Sequence, residues 1–286
     1  MRFDLEIDPL DLGQTLGCGQ TFRWRAAPDG TWSGPLGDQF VVLRKAGRRL
    51  IVEAKPGGRH VRKLVRKHLR ADDDIDEVHR VLGADKVLAD GISQLKGLRI
   101  VKIDEWECLA SFVLATYANI PRITKMIETL STRYGTRIAG GVRAFPTHSQ
   151  LARATSHELT KCGLGYRAQY VKTLCETIDE HQLEHLRTLP YEKLRKELVE
   201  LPGVGDKVAD CVSLFGFGRL EAFPIDVWIE RALARLYGRK GNYSKLRAFA
   251  AKRFGPYAGY AQEYLFYNER LHAPNGSCLF SKEERK

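Results

Sequence analysis

Along the chain, the spacing of apolar and polar positions changes period once. Residues 1–57 follow a period near two. Phe3-Asp4-Leu5-Glu6-Ile7 and Thr21-Phe22-Arg23-Trp24-Arg25 alternate, while Gln39-Phe40-Val41-Val42-Leu43 and Arg49-Leu50-Ile51-Val52 are rich in residues that favour strands. With Gly and Pro turns between them, these stretches predict an antiparallel sheet of four or five strands. From about Arg59 the period becomes helical and stays so almost to the C-terminus. Val61, Leu64, Val65 and Leu69 mark a first helix, and the basic run Arg59–Arg70 reads as its solvated face. Trp106, Leu109, Phe112 and Val113 give the stretch from Asp104 to Tyr117 one apolar side. The pattern predicts an α+β chain, with an antiparallel sheet plus helices over 1–103 and a mostly helical region over 104–286. The charged end of the chain, Ser281 to Lys286, is expected to fray.

One stretch, Leu201 to Arg239, organises the helical region. Leu194, Leu198 and Leu201 line one face of a helix that Pro202 helps to stop. Gly203 and Gly205 then allow a sharp reversal, and a second helix begins near Asp206. The turn of this hairpin presents backbone N–H groups at a helix start, a setting that attracts an anion such as a backbone phosphate. Lys207 lies in the first turn of the second helix, and Cys211 and Leu214 share its face. A lysine facing an apolar wall loses solvation, which favours the neutral, nucleophilic amine. Asp226 precedes the amphipathic run Ile229 to Leu236 and is placed to cap that helix.

Composition narrows the partners. The 286 residues are enough for two or three compact units. There are 46 Lys+Arg against 35 Asp+Glu, a formal net charge of +11, which suits a polyanion. No apolar run approaches roughly 18 residues, so no membrane span is expected. The first residues, MRFDLEIDPLDL, carry acids where a secretion signal needs an apolar core. An intracellular, non-secreted chain is expected, in the cytoplasm or nucleoid if the cell is prokaryotic. The cysteines, at 18, 108, 162, 175, 211 and 278, form no CxxC pair, so no zinc site is expected and the thiols should stay reduced.

The segment LPGVGDKVADC over 201–211, followed by Pro224-Ile225-Asp226-Val227, resembles the helix-hairpin-helix, Gly/Pro-Asp signature of base-excision DNA glycosylases. It is most similar to the 8-oxoguanine DNA glycosylases, and the resemblance runs from Gly17 to Phe266. The resemblance implies that Lys207 attacks the sugar and that Asp226 assists. Gly17-Cys18-Gly19-Gln20-Thr21-Phe22-Arg23-Trp24 is similar to the family's GQ-x-FRW segment. It implies that the Gly19 carbonyl accepts N7–H of the oxidised base, where ordinary guanine has only a lone pair. In Pro256 to Phe266, Gln262 would bond the Watson–Crick edge and Phe266 would stack on the base. Cys211 completes the implied base-binding set.

Tyr117-Ala118-Asn119-Ile120-Pro121-Arg122-Ile123 resembles the loop that fills the hole left by the extruded base. The family's first asparagine is Tyr117 here, leaving Asn119, and a tyrosine can wedge by stacking. Arg122 matches an arginine that contacts the orphaned cytosine. In Gly163-Leu164-Gly165-Tyr166-Arg167, Tyr166 would wedge the duplex and Arg167 would also hold the cytosine. The implied partner is double-stranded DNA carrying 8-oxoguanine opposite cytosine, acted on by a monomer. No redox cofactor or catalytic metal is required. A structural cation, monovalent or divalent, is implied at the carbonyls of Val199, Leu201 and Val204. Relatives with an iron–sulfur cluster need four clustered cysteines after the catalytic region, where this chain has Cys278. Two alternatives are an alkylated-base glycosylase, which relies on the aspartate without the lysine, and a non-catalytic hairpin module, which needs neither Lys207 nor Asp226.

Overall fold

The period-two segments build a five-stranded antiparallel sheet in the order β1-β5-β4-β3-β2. The strands are β1 (Arg2–Glu6), β2 (Arg25–Ala26), β3 (Trp32–Leu36), β4 (Gln39–Ala46) and β5 (Arg49–Lys55). The structure is a computed structural model that describes residues 1–271, so Cys278 and the charged segment 281–286 lie outside the described residues. Phe3 and Leu5 of β1, Val41 and Leu43 of β4, and Leu50, Val52 and Ala54 of β5 are buried at alternate positions. The register sets Phe3 beside Val52 and Leu5 beside Leu50, so the apolar side chains share one face.

The stretch expected as a strand at Thr21–Arg25 is not one. Only its last residue enters the sheet, Arg25 pairing with Ser33 in the two-residue β2. Phe22 and Trp24 turn into the core instead. Phe22 meets Phe112 edge-on at 5.7 Å between centroids, and Trp24 stacks on His68 at 5.4 Å. Burying two large rings outweighs a few ladder bonds. Gly34 in β3 makes room, because a Cβ there would lie 2.8 Å from the Arg23 carbonyl and 3.1 Å from the Trp24 ring. The strand WSGPL was hidden from a propensity reading by its own Gly and Pro. A short helix, α1 (Leu12–Leu16), also interrupts the segment read as strands, capped by Asp11 accepting from Gln14 N–H.

Helices α2 (Val61–His68), α3 (Ile75–Leu82) and α4 (Lys86–Gln94) follow the sheet. In the basic run on α2, Arg62 lies 4.5 Å over the Phe3 ring and bonds Asp4 O, while Lys63 and Lys67 are exposed. The helical part contains α5 (Glu105–Leu114), α6 (Ile120–Tyr134), α7 (His148–Ala152), α8 (Ser156–Leu159), α9 (Arg167–Thr177) and α10 (Glu180–Thr188). It continues with α11 (Tyr191–Val199), α12 (Asp206–Cys211), α13 (Val227–Tyr237), α14 (Tyr243–Phe254) and α15 (Ala258–Leu271). α5 is buried almost all round, against α9 and the π-wound turns Val212–Gly216 that prolong α12. α15 packs against α4, α13 and α14, tying the N-terminal half to the helical half. Gly259 lets α15 lie close to the Val212–Gly216 turns, since a Cβ would sit 2.4 Å from Leu214 Cδ1. Among the described residues no helix is long and apolar enough to cross a membrane.

His68 gives the fold a pH dependence. It is buried, its Nδ1 lies 2.9 Å from Lys102 O, and burial pushes its pKa from 6.5 down to about 4. Between those values the unfolded chain binds a proton that the native state refuses, so stability falls as pH drops through the window. The loss reaches about 3 kcal/mol once pH 4 is passed. The urea midpoint of the wild type should therefore fall more steeply between pH 7 and pH 4.5 than that of His68→Gln. Parallel curves would clear His68 as the cause.

Candidate active site

The hairpin predicted around residue 203 is present. α11 buries Tyr191, Leu194 and Leu198 on one side. The chain reverses at Gly203, where φ is +79° and a Cβ would meet the Tyr170 ring at 2.8 Å. Glycine is required there twice over, by backbone and by neighbour. Gly205 differs from the expectation of a reversal. It is the extended cap residue of α12, with open space around it.

Lys207 is half-buried in the first turn of α12, its Nζ 5.2 Å from the centroid of Phe112. Asp226 caps α13 as expected, its Oδ1 accepting from Trp228 N–H and Ile229 N–H, each at 3.0 Å. Its Oδ2 takes no part in the cap. Both residues line one cavity of about 60 Å³ together with Gly19, Cys211, Gln262 and Phe266. Burial pushes the Cys211 thiol up to about 12, with Lys207 opposing the shift, so Cys211 is a neutral wall of the cavity at pH 7.

Gln262 brings an unsatisfied acceptor to this cavity. It is 5% exposed, and its Oε1 is buried without a hydrogen-bond partner among the described residues. An acceptor left so costs about 1–3 kcal/mol, which an incoming N–H would relieve. Gly19 adopts φ +103°, and a Cβ there would fall 2.9 Å from Ile120 Cδ1. Gln20 holds this turn in place. Its amide nitrogen donates to Thr15 O at 2.7 Å and Arg99 O at 2.8 Å, and its oxygen accepts from Val101 N–H at 2.8 Å.

Sequence reasoning missed several members of this site. Phe112, Phe215 and Pro224 form walls of the cavity, and Glu263 is a second carboxyl in it. A charged residue beside Gln262 reads as surface in a single sequence, and no signal marks it as buried. Asp210 was also missed. It is fully buried and accepts from Tyr191 OH at 2.7 Å, Tyr243 OH at 2.6 Å and Arg195 Nε at 3.0 Å. Burial raises the Asp210 pKa, and the two tyrosines and Arg195 work against that rise. Tyr243 OH also accepts from Ile225 N–H at 3.3 Å. The helix of Lys207 is thereby bolted to the residue before Asp226.

Outside the cavity lining, Tyr117 is 96% exposed with φ +50°, Tyr166 is 54% exposed, and Arg122 is exposed. Asn119 uses its side-chain oxygen to cap α6, accepting from Arg122 N–H at 3.1 Å. The reading of Arg167 needs correction. It is only 1% exposed, and its guanidinium donates to Thr116 O, with Nε at 3.0 Å, and to Leu164 O at 3.4 Å. It also lies 4.5 Å over the Tyr166 ring. A guanidinium so engaged is not presented to a cytosine in this structure. It braces the corner that carries Tyr117 and Tyr166. Of the three carbonyls implied for a cation, that of Leu201 accepts from Val204 N–H at 3.1 Å and retains its second lone pair.

A lysine and a carboxylate facing one cavity behind a helical hairpin define the class of helix-hairpin-helix base-excision glycosylases. Comparison with known proteins narrows this further. The family model for the 8-oxoguanine DNA glycosylase N-terminal domain matches residues 2–109. That for HhH-GPD superfamily base excision DNA repair proteins matches residues 110–256. The chain is 30% identical over 288 residues to N-glycosylase/DNA lyase OGG1 of Arabidopsis thaliana, covering 91% of this chain and 77% of the plant protein. It is 30% identical over 317 residues to N-glycosylase/DNA lyase of Saccharomyces cerevisiae, covering 91% and 83%. Among solved structures, the Clostridium acetobutylicum 8-oxoguanine glycosylase/lyase in complex with dsDNA containing cytosine opposite 8-oxoG aligns with TM-score 0.88 and 29% identity. That alignment covers 94% of this chain and 97% of the other. The chain belongs to the 8-oxoguanine DNA glycosylases of the HhH-GPD superfamily. The alkylated-base and non-catalytic readings are not favoured.

The bolt at Asp210 is testable. Tyr243→Phe leaves Ile225 N–H without its acceptor and Asp210 short of one donor, and should lower the unfolding free energy by about 1–3 kcal/mol. Urea denaturation measures this, and an unchanged midpoint would mean that the hydroxyl holds nothing.

Proposed function

We propose that the protein is a bifunctional DNA glycosylase and abasic-site lyase that removes 8-oxoguanine opposite cytosine from double-stranded DNA, with Lys207 as nucleophile. The observation that carries this reading is that Lys207 and Asp226 share one cavity with the unpartnered oxygen of Gln262. The duplex would lie across Tyr117, Arg122 and Tyr166, with a backbone phosphate at the open Gly205 turn. The oxidised base rotates into the cavity. The segment 1–103 contributes Gly19, whose carbonyl accepts N7–H, and 104–286 contributes the rest. Guanine would set an N7 lone pair against that carbonyl and be repelled. Gln262 bonds the Watson–Crick edge and Phe266 stacks on the ring.

The neutral amine of Lys207 forms a bond to C1′ as the N-glycosidic bond breaks and its electron pair leaves with the base. Positive charge develops on the sugar, and the ionised Asp226 stabilises it. Opening of the sugar ring gives a Schiff base on Lys207, which makes the C2′ protons acidic. Loss of one expels the 3′ phosphate and nicks the strand. The lysine and aspartate supply this chemistry without a redox cofactor or catalytic metal. The carbonyls of Val199, Leu201 and Val204 suit a structural cation, monovalent or divalent, that would help to hold a phosphate at the hairpin.

Lys207→Gln should bind an 8-oxoguanine·cytosine duplex normally, release no base and yield no adduct on borohydride treatment. A trapped adduct in that variant would remove Lys207 from its role. Asp226→Asn keeps a capping oxygen and should stay folded, with base release slowed by about 10²–10³-fold. Near-normal release would reduce the aspartate to a cap.

A further inference from the structure

The proposed attack requires that Lys207 first lose a proton, and three other ionisable groups line its cavity: Cys211, Asp226 and Glu263. We propose that Glu263 is the proton acceptor for Lys207, an inference that rests on Lys207 being the nucleophile. Cys211 is a neutral thiol at pH 7 and accepts poorly. Asp226 has one oxygen held by two backbone N–H groups and must stay ionised beside the sugar. Glu263 fits the task. It is 3% exposed, follows Gln262 on α15, and receives the Cys18 thiol on Oε2 at 3.5 Å. Oε1 takes no part in that bond.

The charges around Glu263 come from every side. Cys18 faces it from the turn after α1, Lys207 from α12, Asp226 from the start of α13, and Arg270 from further along α15. Arg270 Nη1 also donates to Cys18 O at 3.1 Å, so the same helix grips the turn that carries Gly19. Burial is the largest influence on Glu263. With Asp226 adding to it, and Cys18, Arg270 and Lys207 opposing, the carboxyl is pushed up to about 7. A base matched to neutral pH gives efficient proton transfer. In the step, the carboxylate of Glu263 and the ammonium of Lys207 become a carboxylic acid and an amine. The freed nitrogen lone pair forms the bond to C1′. The acid then returns its proton to the departing purine, which leaves with the electron pair of the broken bond.

The test is single-turnover base release from an 8-oxoguanine·cytosine duplex between pH 6 and pH 10. Borohydride trapping of the wild type comes first, because its failure would refute the nucleophile and not Glu263. Glu263→Gln should bind the duplex as the wild type does and be slower by about 10²-fold at pH 7. Its rate should climb toward the wild-type value at high pH, as bulk base takes over the deprotonation. Cys18→Ala keeps the carboxylate but removes a donor that favours its charge, so the midpoint of the pH profile should move upward. Three results would overturn the proposal: a Glu263→Gln rate equal to or above wild type at pH 7, an equal deficit at every pH, or an unmoved midpoint in Cys18→Ala.

Discussion

One fully buried carboxyl group ties together the elements that line the cavity. Asp210 is fully buried, and an unpaired charge there would be too costly to keep. Tyr191, Tyr243 and Arg195 satisfy it from α11 and α14, while Asp210 itself belongs to the helix of Lys207. Tyr243 also holds the backbone one residue before Asp226. Lys207 and Asp226 come from separate segments of the chain. Both line one cavity, and the polar network around Asp210 leaves their supporting elements few other arrangements.

α15 does equivalent work for another wall of the cavity. Gln262 and Phe266 stand on it, and so do the buried Glu263 and the Arg270 that reaches the carbonyl of Cys18. Its close seating depends on Gly259, where any side chain would strike Leu214. On the opposite wall, Gln20 fastens the Gly19 turn to the segment leading into α5. The cavity is therefore shared between the sheet-bearing half and the helical half, and neither half forms it alone.

The exposed tyrosines follow a different rule. Tyr117 stands in solvent on a strained backbone, one residue after Thr116, which meets the exposed Tyr166 hydroxyl. Strain of this kind persists only where the surroundings enforce it. Arg167 is one of the enforcers, its guanidinium spent on the Thr116 carbonyl. A basic residue expected at the DNA here braces the corner from which Tyr117 and Tyr166 protrude.

The sequence by itself determined a good deal: the change from period two to helical period, the hairpin with its glycine turn, the lysine after it, and the aspartate cap at 226. These are local properties, set by side-chain spacing, by φ and by capping chemistry over a few residues. The comparisons then matched both halves of the chain to one family. Tertiary structure decided what local patterns could not. Phe22 and Trp24 alternate like a strand yet turn inward, because a core offers two aromatic rings more than a sheet edge does. Arg167 looks like a ligand for DNA yet is buried, and Glu263 looks like surface yet lines the active cavity. Burial and charge pairing depend on which distant segments meet, and for a charged side chain that meeting, not its place in the chain, decides whether it faces water, DNA or a lysine.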